Sequence, residues 1–360
     1  SSLLSVLGPG DLFGEMAVID GLLRSATATA LENCELTVIN RDQLQQRIEV
    51  LDPVMRLLIS VLLTKIRNNN RIVSCQNAGS GMANDELSNS AIRIPDSFKS
   101  AQEQLKLEQD LLEGIEKKEF LLNYQPIVDL QTNSIKGFEA LLRWIHPSRG
   151  LVPPDKFIDV AEQSSLIIPI GIWILHQAIH DIKWLHKKTS LNNLFISINV
   201  SSRQLDDPNF VNEMIKVQKK FSINPNLVKL EVTERVFHEG PIVLDSINRC
   251  RQMGYAFSLD DFGTGYASMT TLFNLTVDAI KIDRIFVNKV TKDPKSMAIV
   301  QAITTLARSM NLHLVAEGIE EASTAAFLKN LGCQHGQGYL FGRPQPLEQC
   351  LSYFKKSSAA

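Results

Sequence analysis

Six short apolar runs between residues 137 and 318 each contain, or end in, a side chain that can bind a cation or move a proton. These side chains are Glu139, Asn199, Glu231, the adjacent pair Asp260 and Asp261, Lys281, and Glu317. A single acid near a strand end is more often a helix cap or a surface charge. Glu139, Glu231 and Lys281 lie inside apolar runs, however, where an unpaired charge is costly. We therefore expect the whole set to meet in one site.

Such a site would crowd five carboxylates and one amide oxygen, which repel one another unless cations neutralise them. Ligands that are all oxygen favour Mg²⁺ or Mn²⁺ over zinc. The adjacent Asp260 and Asp261 can serve two ions, with one carboxylate bridging them, although a simple turn is the alternative for this pair. Two ions about 3.5–4 Å apart are the usual clamp for in-line attack on a phosphodiester, and Lys281 would hold the attacking water. The residues thus predict metal-assisted phosphodiester hydrolysis.

Alternating β-rich and amphipathic stretches predict the scaffold that would bring these residues together. The β-rich runs are 121–128, 135–142, 194–200, 228–233, 255–260, 278–284, 312–316 and 336–341, and stretches such as 171–187 and 296–310 are long enough for helices. This α/β pattern predicts a TIM-like (β/α)8 barrel, with an open doubly wound sheet as the alternative. In a barrel the C-terminal ends of the strands form one mouth, where barrel active sites lie.

Composition and charge limit the class of protein. The sequence is 44% hydrophobic and 21% charged, with a formal net charge of -2. These values are typical of a globular protein of about two domains and provide no basic field for nucleic acid or anionic membrane. The longest apolar stretch, 166–175, is shorter than the roughly 20 residues of a membrane span. Five scattered cysteines without a CxxC pair indicate a reduced, cytoplasmic protein.

Three zones of different composition predict the domain organisation. Residues 1–67 are compact and apolar with turn signals, and their last part has a helical pattern. Residues 68–105 are polar and rich in Ser, Gly and Asn, which is typical of a linker. Residues 106–356 contain the barrel pattern.

The first zone holds a candidate anion site in Gly14 and Glu15, followed by Arg24 and Ser25. Glu15 can accept from a ribose hydroxyl, Arg24 can pair with a phosphate, and the small residues let backbone N–H groups approach it. The segment resembles the phosphate-binding cassette of cyclic-nucleotide-binding domains, with an ordinary β-hairpin as the alternative. The resemblance implies that a cyclic mononucleotide binds to the intact protein. Because an eight-stranded roll needs more chain before Gly10, we expect a partial β-roll here that binds such a ligand poorly.

Eight motifs of the third zone occur in the order and at the spacing of one family. They are YQPI from Tyr124, EAL from Glu139, NVS from Asn199, EVTE from Glu231, DDFGTG from Asp260, KIDR from Lys281, AEGIE from Ala316 and QGY from Gln337. From about residue 105 to residue 355 the sequence thus resembles the EAL domain family of cyclic di-GMP phosphodiesterases. The resemblance implies a TIM-like barrel, two Mg²⁺ or Mn²⁺ ions, inhibition by Ca²⁺, a homodimer, and hydrolysis of cyclic di-GMP to linear pGpG.

The site residues that the resemblance implies fall into four groups. The metal ligands are Glu139, Asn199, Glu231, Asp260, Asp261 and Glu317, with Asp260 as the bridge. The catalytic pair is Lys281 and Glu317, and the choice of general base between them stays open. The substrate-binding residues are Gln125, Arg143 and Gln337, the last of which also organises the site near the attacking water. The loop that couples a dimer contact to metal binding consists of Glu234, Phe262, Gly263, Thr264 and Gly265.

Three positions depart from the family pattern without removing a metal ligand, namely Arg235, Ala267 and Gln334. No GG(D/E)EF sequence occurs, so we expect no diguanylate cyclase domain in this chain.

Two other functions stay open: a non-catalytic receptor that binds cyclic di-GMP and signals through a partner, and a phosphodiesterase for another nucleotide. The complete set of predicted ligands favours the enzyme.

Overall fold

The structure, a computed structural model, describes residues 96–263 and 277–356 and a discontinuous set of residues between 6 and 67. That set comprises residues 6–8, 11, 13–20, 23–24, 27–36, 52, 54–55, 58–59, 61–63 and 65–67. The chain divides into two compact units, Ser1–Asp110 and Leu111–Ala360. The domain limits proposed from composition, at residues 67 and 105, stay predictions, and residues 68–95 lie outside the described part.

The described part of the first unit is largely helical. Helix α1 spans Glu15–Asp20, and every described residue between 54 and 67 is helical. The Arg67 guanidinium donates a hydrogen bond to the carbonyl oxygen of Leu23 at 3.0 Å. This contact fastens the end of the second helical segment to the chain that follows α1.

The second unit is built on a closed barrel of eight strands with one short extra strand. The strands are β1 (Phe120–Asp129), β2 (Ile135–His146), β3 (Gly150–Val152), β4 (Phe195–Asn199), β5 (Val228–Thr233), β6 (Ala256–Phe262), β7 (Ala279–Ile282), β8 (His313–Ala316) and β9 (His335–Gln337). They pair in the order β1-β9-β8-β7-β6-β5-β4-β2-β3, and pairing of β1 with β2 closes the barrel. The predicted TIM-like barrel is therefore confirmed, and each predicted run overlaps one barrel strand.

The first strand runs against its neighbours, which a simple repeat of strand and helix does not predict. β1 is antiparallel to both β2 and β9, whereas β2, β4, β5, β6, β7, β8 and β9 pair in parallel. Only residues 130–134 separate β1 from β2, and so short a connection can join only antiparallel strands. As a result Gln125 of β1 lies directly opposite Glu139 of β2.

The long helix α2 (Asp96–Glu116) includes the boundary between the two units. The helices of the second unit that follow are α3 (Ile158–Gln163), α4 (Ile167–Thr189), α5 (Ser202–Leu205), α6 (Phe210–Phe221), α7 (Pro241–Gln252), α8 (Arg284–Val287), α9 (Pro294–Ser309), α10 (Ala322–Leu331) and α11 (Leu351–Lys356). Of these, α4, α7 and α9 pack against strands of the barrel. The long helix α4 buries a stripe that includes Ile170, Ile174 and Ala178, at the spacing of one helix face. Among the described residues, no helix is long and apolar enough to cross a membrane.

Alternation along the strands separates the packing residues from the residues of the interior. Ile196 and Ile198 of β4, and Ile280 and Ile282 of β7, are almost fully buried. The residues between them, Ser197 and Lys281, face the opposite side, because successive side chains of a strand alternate. The apolar set packs outward against the helices, and the polar set enters the barrel.

Candidate active site

Strand β6 carries an irregularity at the two adjacent aspartates. Between Leu259 and Phe262 the chain advances three residues on β6 for two on β7, which is the pattern of a β-bulge. Asp261 has a φ of 53°, in the left-handed region that residues other than glycine rarely adopt. Adjacent side chains of a regular strand point to opposite faces, so the bulge is what brings Asp260 and Asp261 to one side. Asp260, Asp261 and Glu317 each offer a ligand atom within 4.8 Å of the others.

Lys281 occupies the centre of the mouth, which is the end of the barrel that holds Glu139, Glu231, Asp260 and Glu317. The lysine is only 1% exposed. Its Nζ lies 2.6 Å from Glu317 Oε1 and 2.7 Å from Glu231 Oε2. The same atom lies 3.2 Å from Asp260 Oδ1 and 3.7 Å from Glu139 Oε2. Four of the predicted acids therefore surround one buried ammonium group.

Two amides hold the carboxylate of Glu139. Asn199 Nδ2 donates to Glu139 Oε1 at 2.9 Å, and Gln337 Nε2 donates to Glu139 Oε2 at 2.5 Å. Asn199 of β4 is paired with Glu231 of β5, so these two residues lie at the same level along the barrel. Because the amide nitrogens face the carboxylate, the oxygens of both amides remain as acceptors.

The charges of the mouth shift one another's pKa values. Burial opposes ionisation of Glu139, but Lys281 and the two amide donors outweigh burial and lower its pKa. Burial raises the pKa of Glu231 well above its ordinary value; Lys281 opposes this rise, and repulsion from Glu139 and Asp260 adds to it. Burial also raises the pKa of Glu317 to about 8. Lys281 has a pKa well above its ordinary value, because the surrounding acids outweigh the effect of its burial.

This donor set fits divalent cations. Fully ionised, the five carboxylates and the single lysine carry a formal charge of -4, which two divalent ions would balance. Carboxylate and amide oxygens are the ligands that hard cations prefer. The Oε1 atom of Gln337 is also buried and has no hydrogen-bond partner among the described residues, so a further donor or cation is expected near it.

The predicted substrate-binding residues lie beside this cluster. Gln337 Nε2 also donates to Gln125 Oε1 at 3.0 Å, so these two residues join Glu139 in one hydrogen-bonded group. Arg143 follows Glu139 by four positions on β2 and therefore shares its face of the strand. It is half-buried and donates to the carbonyl oxygen of Leu142 at 2.8 Å, and burial lowers its pKa.

The predicted loop switch is described only in part. Glu234 is buried, and its Oε1 accepts a hydrogen bond from the backbone N–H of Gly263 at 3.0 Å. Gly263 has a φ of +95°, and a Cβ there would lie 3.1 Å from the ring of Phe286, so only glycine fits easily. Phe262 is buried at the end of β6. The other two predicted residues, Thr264 and Gly265, lie outside the described residues.

The predicted cassette of the first unit is likewise partial. Gly14 has a φ of +79°, and a Cβ there would lie 3.1 Å from the guanidinium of Arg24, so these two residues are adjacent. Glu15 begins helix α1, and only its backbone is described. Ser25 lies outside the described residues. The structure thus brings Gly14 and Arg24 together.

Sequence reasoning assigned no role to two groups at the mouth. Asp283 is buried, and together with burial and Asp260 it raises the pKa of Asp261 to about 6. Its position two residues after Lys281, directly after the end of the same strand, was a usable signal. The carbonyl oxygen of Gly342 accepts a hydrogen bond from Gln125 Nε2 at 3.1 Å. A backbone carbonyl has no signature in the sequence.

Known proteins resemble both units of this chain. A sequence model of the EAL domain matches residues 108–344, and one of the cyclic nucleotide-binding domain matches residues 1–50. The bifunctional diguanylate cyclase/cyclic di-GMP phosphodiesterase MucR of Pseudomonas aeruginosa is 40% identical over 255 residues, 70% of this chain and 37% of that protein. The cyclic di-GMP phosphodiesterase PdeR of Escherichia coli is 30% identical over 340 residues, 93% of this chain and 51% of that protein.

A solved structure covers almost the whole chain. The EAL enzyme Bd1971, in its cAMP and cyclic-di-GMP bound form, is 40% identical with a TM-score of 0.76, over 97% of this chain and 88% of that chain. The chain spans only 37% and 51% of the lengths of the two curated relatives. Because the EAL domain match extends over residues 108–344, well over half of the chain, this protein belongs to the EAL domain family.

Proposed function

We propose that this chain hydrolyses cyclic di-GMP to linear pGpG with the help of two Mg²⁺ or Mn²⁺ ions. The observation that carries the proposal is the position of Lys281 Nζ, within 3.7 Å of four carboxylates and beside the bulged aspartates of β6. Two relatives that are named as cyclic di-GMP phosphodiesterases support the choice of substrate.

The acids of the mouth would hold the ions in two groups. Glu139, Asn199, Glu231 and Asp260 would bind the first ion, while Asp261 and Glu317 would bind the second, with Asp260 as the bridge. The cluster of Asp260, Asp261 and Glu317 supports the second group. When bound, the ions supply Lewis acidity to the phosphate and lower the pKa of the attacking water.

We assign the general base to Glu317 rather than to Lys281. Four carboxylates keep the pKa of Lys281 high, and a protonated ammonium group can donate a proton but not accept one. Burial raises the pKa of Glu317 to about 8, and a bound cation would lower this pKa again, so that the ionised carboxylate would accept a proton beside Lys281, whose Nζ lies 2.6 Å from Glu317 Oε1. In this arrangement Lys281 orients the attacking water and offsets negative charge on the phosphate.

Arg143 is the proposed contact for a phosphate oxygen. Its guanidinium stays charged at neutral pH although burial lowers its pKa, and its fork of N–H donors matches a phosphate. It lies on the same face of β2 as Glu139, which brings the bound phosphate toward the acids.

We further propose that the first unit, Ser1–Asp110, is a sensory domain that regulates the barrel in response to a cyclic mononucleotide. The cyclic nucleotide-binding match over residues 1–50 supports this proposal, as does the adjacency of Gly14 and Arg24. A cytoplasmic homodimer, with the loop of Glu234 and Gly263 facing the dimer contact, and inhibition by Ca²⁺ complete the proposal. Activity measured with and without cAMP or cGMP tests the regulation.

The decisive test of the activity is separation of pGpG from cyclic di-GMP by HPLC after incubation with the purified chain. We expect pGpG with Mg²⁺ or Mn²⁺, and none with EDTA or Ca²⁺. Glu139→Ala should abolish the product, because Glu139 meets Asn199, Gln337 and Lys281 at once. Glu113→Ala is the matched control, since Glu113 is an exposed acid that pairs with the exposed Lys117 at 2.6 Å. Uncut substrate in the presence of metal would refute the proposal.

The same assay separates the rival functions. Tight binding of cyclic di-GMP without turnover would indicate a receptor that signals through a partner. Faster turnover of a linear or mononucleotide substrate would indicate a phosphodiesterase for another nucleotide.

A further inference from the structure

The amide of Gln125 can be oriented in only one way. Its Nε2 lies 3.1 Å from the carbonyl oxygen of Gly342, and a carbonyl oxygen accepts hydrogen bonds but cannot donate them. A flipped amide would place two oxygens against each other. The Oε1 atom of Gln125 therefore faces Gln337, from whose Nε2 it accepts a hydrogen bond at 3.0 Å.

The carbonyl of Gly342 is itself held in place by β1 and by the C-terminal segment. Tyr124 and Gln345 form an antiparallel bridge, with N–H···O distances of 2.7 and 3.0 Å, next to Gln125 in the chain. The ring of Tyr353 lies against Gly342. A Cβ atom at position 342 would lie 2.5 Å from this ring, so only glycine fits there without a shift. The Tyr353 hydroxyl also donates to the carbonyl oxygen of Arg343 at 2.6 Å.

The orientation of the Gln125 amide also fixes that of the Gln337 amide. Its two amide hydrogens are both used, one by Gln125 Oε1 and the other by Glu139 Oε2 at 2.5 Å. The opposite end of the amide, Gln337 Oε1, is buried without a hydrogen-bond partner among the described residues. Gln337 as a whole is only 4% exposed. A buried acceptor of this kind is costly unless a donor reaches it, and the attacking water is such a donor.

We infer that Gln125 is a positioning residue that acts through Gln337, and that Gln337 Oε1 accepts a hydrogen bond from the attacking water. This inference rests on the proposed function. The Gly342 carbonyl fixes the orientation of the Gln125 amide, which in turn fixes the orientation of the Gln337 amide. As a result Gln337 Nε2 donates to Glu139, and Gln337 Oε1 is free to orient the water. The family resemblance implies a different role for Gln125, direct contact with the substrate. Both of its amide groups, however, already have partners within the chain.

Gln125→Met tests the inference, because methionine has a similar length but cannot replace either hydrogen bond. We expect kcat to fall by about 10- to 100-fold, with KM changed by less than about threefold, as for other residues that orient a ligating group. The second measurement is solvent exchange of the Gln337 side-chain NH₂ in metal-free protein labelled with ¹⁵N-glutamine. Loss of this signal in Gln337→Leu identifies it. In Gln125→Met its exchange should be faster by at least about tenfold.

Tyr124→Phe is the matched control on the same strand. The Tyr124 hydroxyl donates to the buried Asp181 at 2.6 Å and takes no part in the hydrogen bonds that join Gly342, Gln125, Gln337 and Glu139. We expect a lower melting temperature with kcat, KM and the Gln337 signal unchanged. A rise in KM at constant kcat in Gln125→Met would overturn the inference and make Gln125 a substrate contact. An unchanged Gln337 signal would overturn it even if the wild-type chain proved inactive, so the two proposals fail separately.

Discussion

Two lysines enter the interior of the same barrel and meet opposite surroundings. Lys281 at the mouth contacts four carboxylates, which hold its pKa well above the ordinary value. Lys229 lies on β5, two residues before Glu231, and forms no ion pair with any residue that the structure describes. Its Nζ lies 3.5 Å from the centroid of the Phe195 ring, and burial lowers its pKa to about 8.

The difference shows that the two ends of the barrel differ in polarity and charge. The end that holds Lys229, Phe195 and His335 is called the floor here. Ile127, Phe195 and Val315 form a buried apolar cluster in the barrel. At the mouth a positive charge is required to balance the acids. At the floor the same charge meets apolar surface and reduces stability.

The largest expected effect follows from removing the lysine of the mouth. Lys281→Met should lower kcat for cyclic di-GMP by about 10²–10⁴-fold, because it removes the group that we propose orients the water and offsets charge on the phosphate. The measurement is pGpG formation by HPLC under saturating substrate. The same substitution at the floor, Lys229→Met, should keep at least half of the activity. Comparable losses in the two variants would break the distinction between mouth and floor.

Metal binding should stabilise the mouth specifically. Mn²⁺ at 100 times its Kd adds about 2.7 kcal/mol to the free energy of unfolding, which raises the Tm by about 5–11 °C for a unit of this size. Asp261→Asn should remove most of the rise, because the bulge carboxylate is lost, and EDTA should reverse it in the wild type. Lys229→Met should show the full rise in thermal melts. A full rise in Asp261→Asn as well would place the ion elsewhere.

The strands of this barrel could be predicted from the sequence because each is a short apolar run between polar segments. Their direction could not, since a run such as 121–128 reads alike in a parallel and an antiparallel strand. Strand ends were also less certain. β7 ends at Ile282, before the predicted residue 284, because Asp283 caps helix α8 by accepting from the N–H of Ile285 at 2.6 Å.

The meeting of Glu139, Glu231 and Glu317 at the mouth could be predicted from the sequence because charged side chains are conspicuous in or next to apolar runs. The β-bulge could not be found, since it arises from the register between β6 and β7 and not from either strand alone. The hydrogen bond from Gln125 to Gly342 was equally hidden, because it joins residues 217 positions apart through a backbone atom.

The floor lysine should cost the protein stability. Lys229→Met should raise the free energy of unfolding at pH 7 by about 2 kcal/mol, because it removes a buried charge without an acidic partner. Urea unfolding followed by tryptophan fluorescence measures this, since all three tryptophans, Trp144, Trp173 and Trp184, lie in the barrel unit. Lys136→Met is the control: Lys136 is 37% exposed and pairs with Asp129 at 3.6 Å, so its loss should change stability by less than about 1 kcal/mol. A less stable Lys229→Met would show that the Phe195 contact outweighs burial.

The smallest expected effect concerns the pH response of the floor. His335 is largely buried, and its Nδ1 has no hydrogen-bond partner among the described residues. Its ring stands edge-on to Phe195, with the ring centroids 6.2 Å apart. Burial first, and then the charge of Lys229, with further contributions from His313 and Lys136, lower the pKa of His335 to about 4, against a weak opposing effect of Asp129.

Because the unfolded chain binds a proton at a pKa near 6.5 and the folded chain only near 4, the unfolded state binds more protons between these values. The stability that neutral His335 contributes is therefore complete above about pH 6.5 and is lost as the pH falls toward 4. His335→Gln removes this titration. Between pH 7 and 4.5 the free energy of unfolding of the variant should therefore fall by about 1 kcal/mol less than that of the wild type. This value is reduced to allow for partial exposure of the ring. If burial of the new glutamine amide changes the free energy of unfolding equally at every pH, that change does not affect this difference. Urea unfolding of both proteins across this range measures the difference. Parallel pH curves for wild type and His335→Gln would show that water reaches the floor and that its charges are not buried as those of the mouth are.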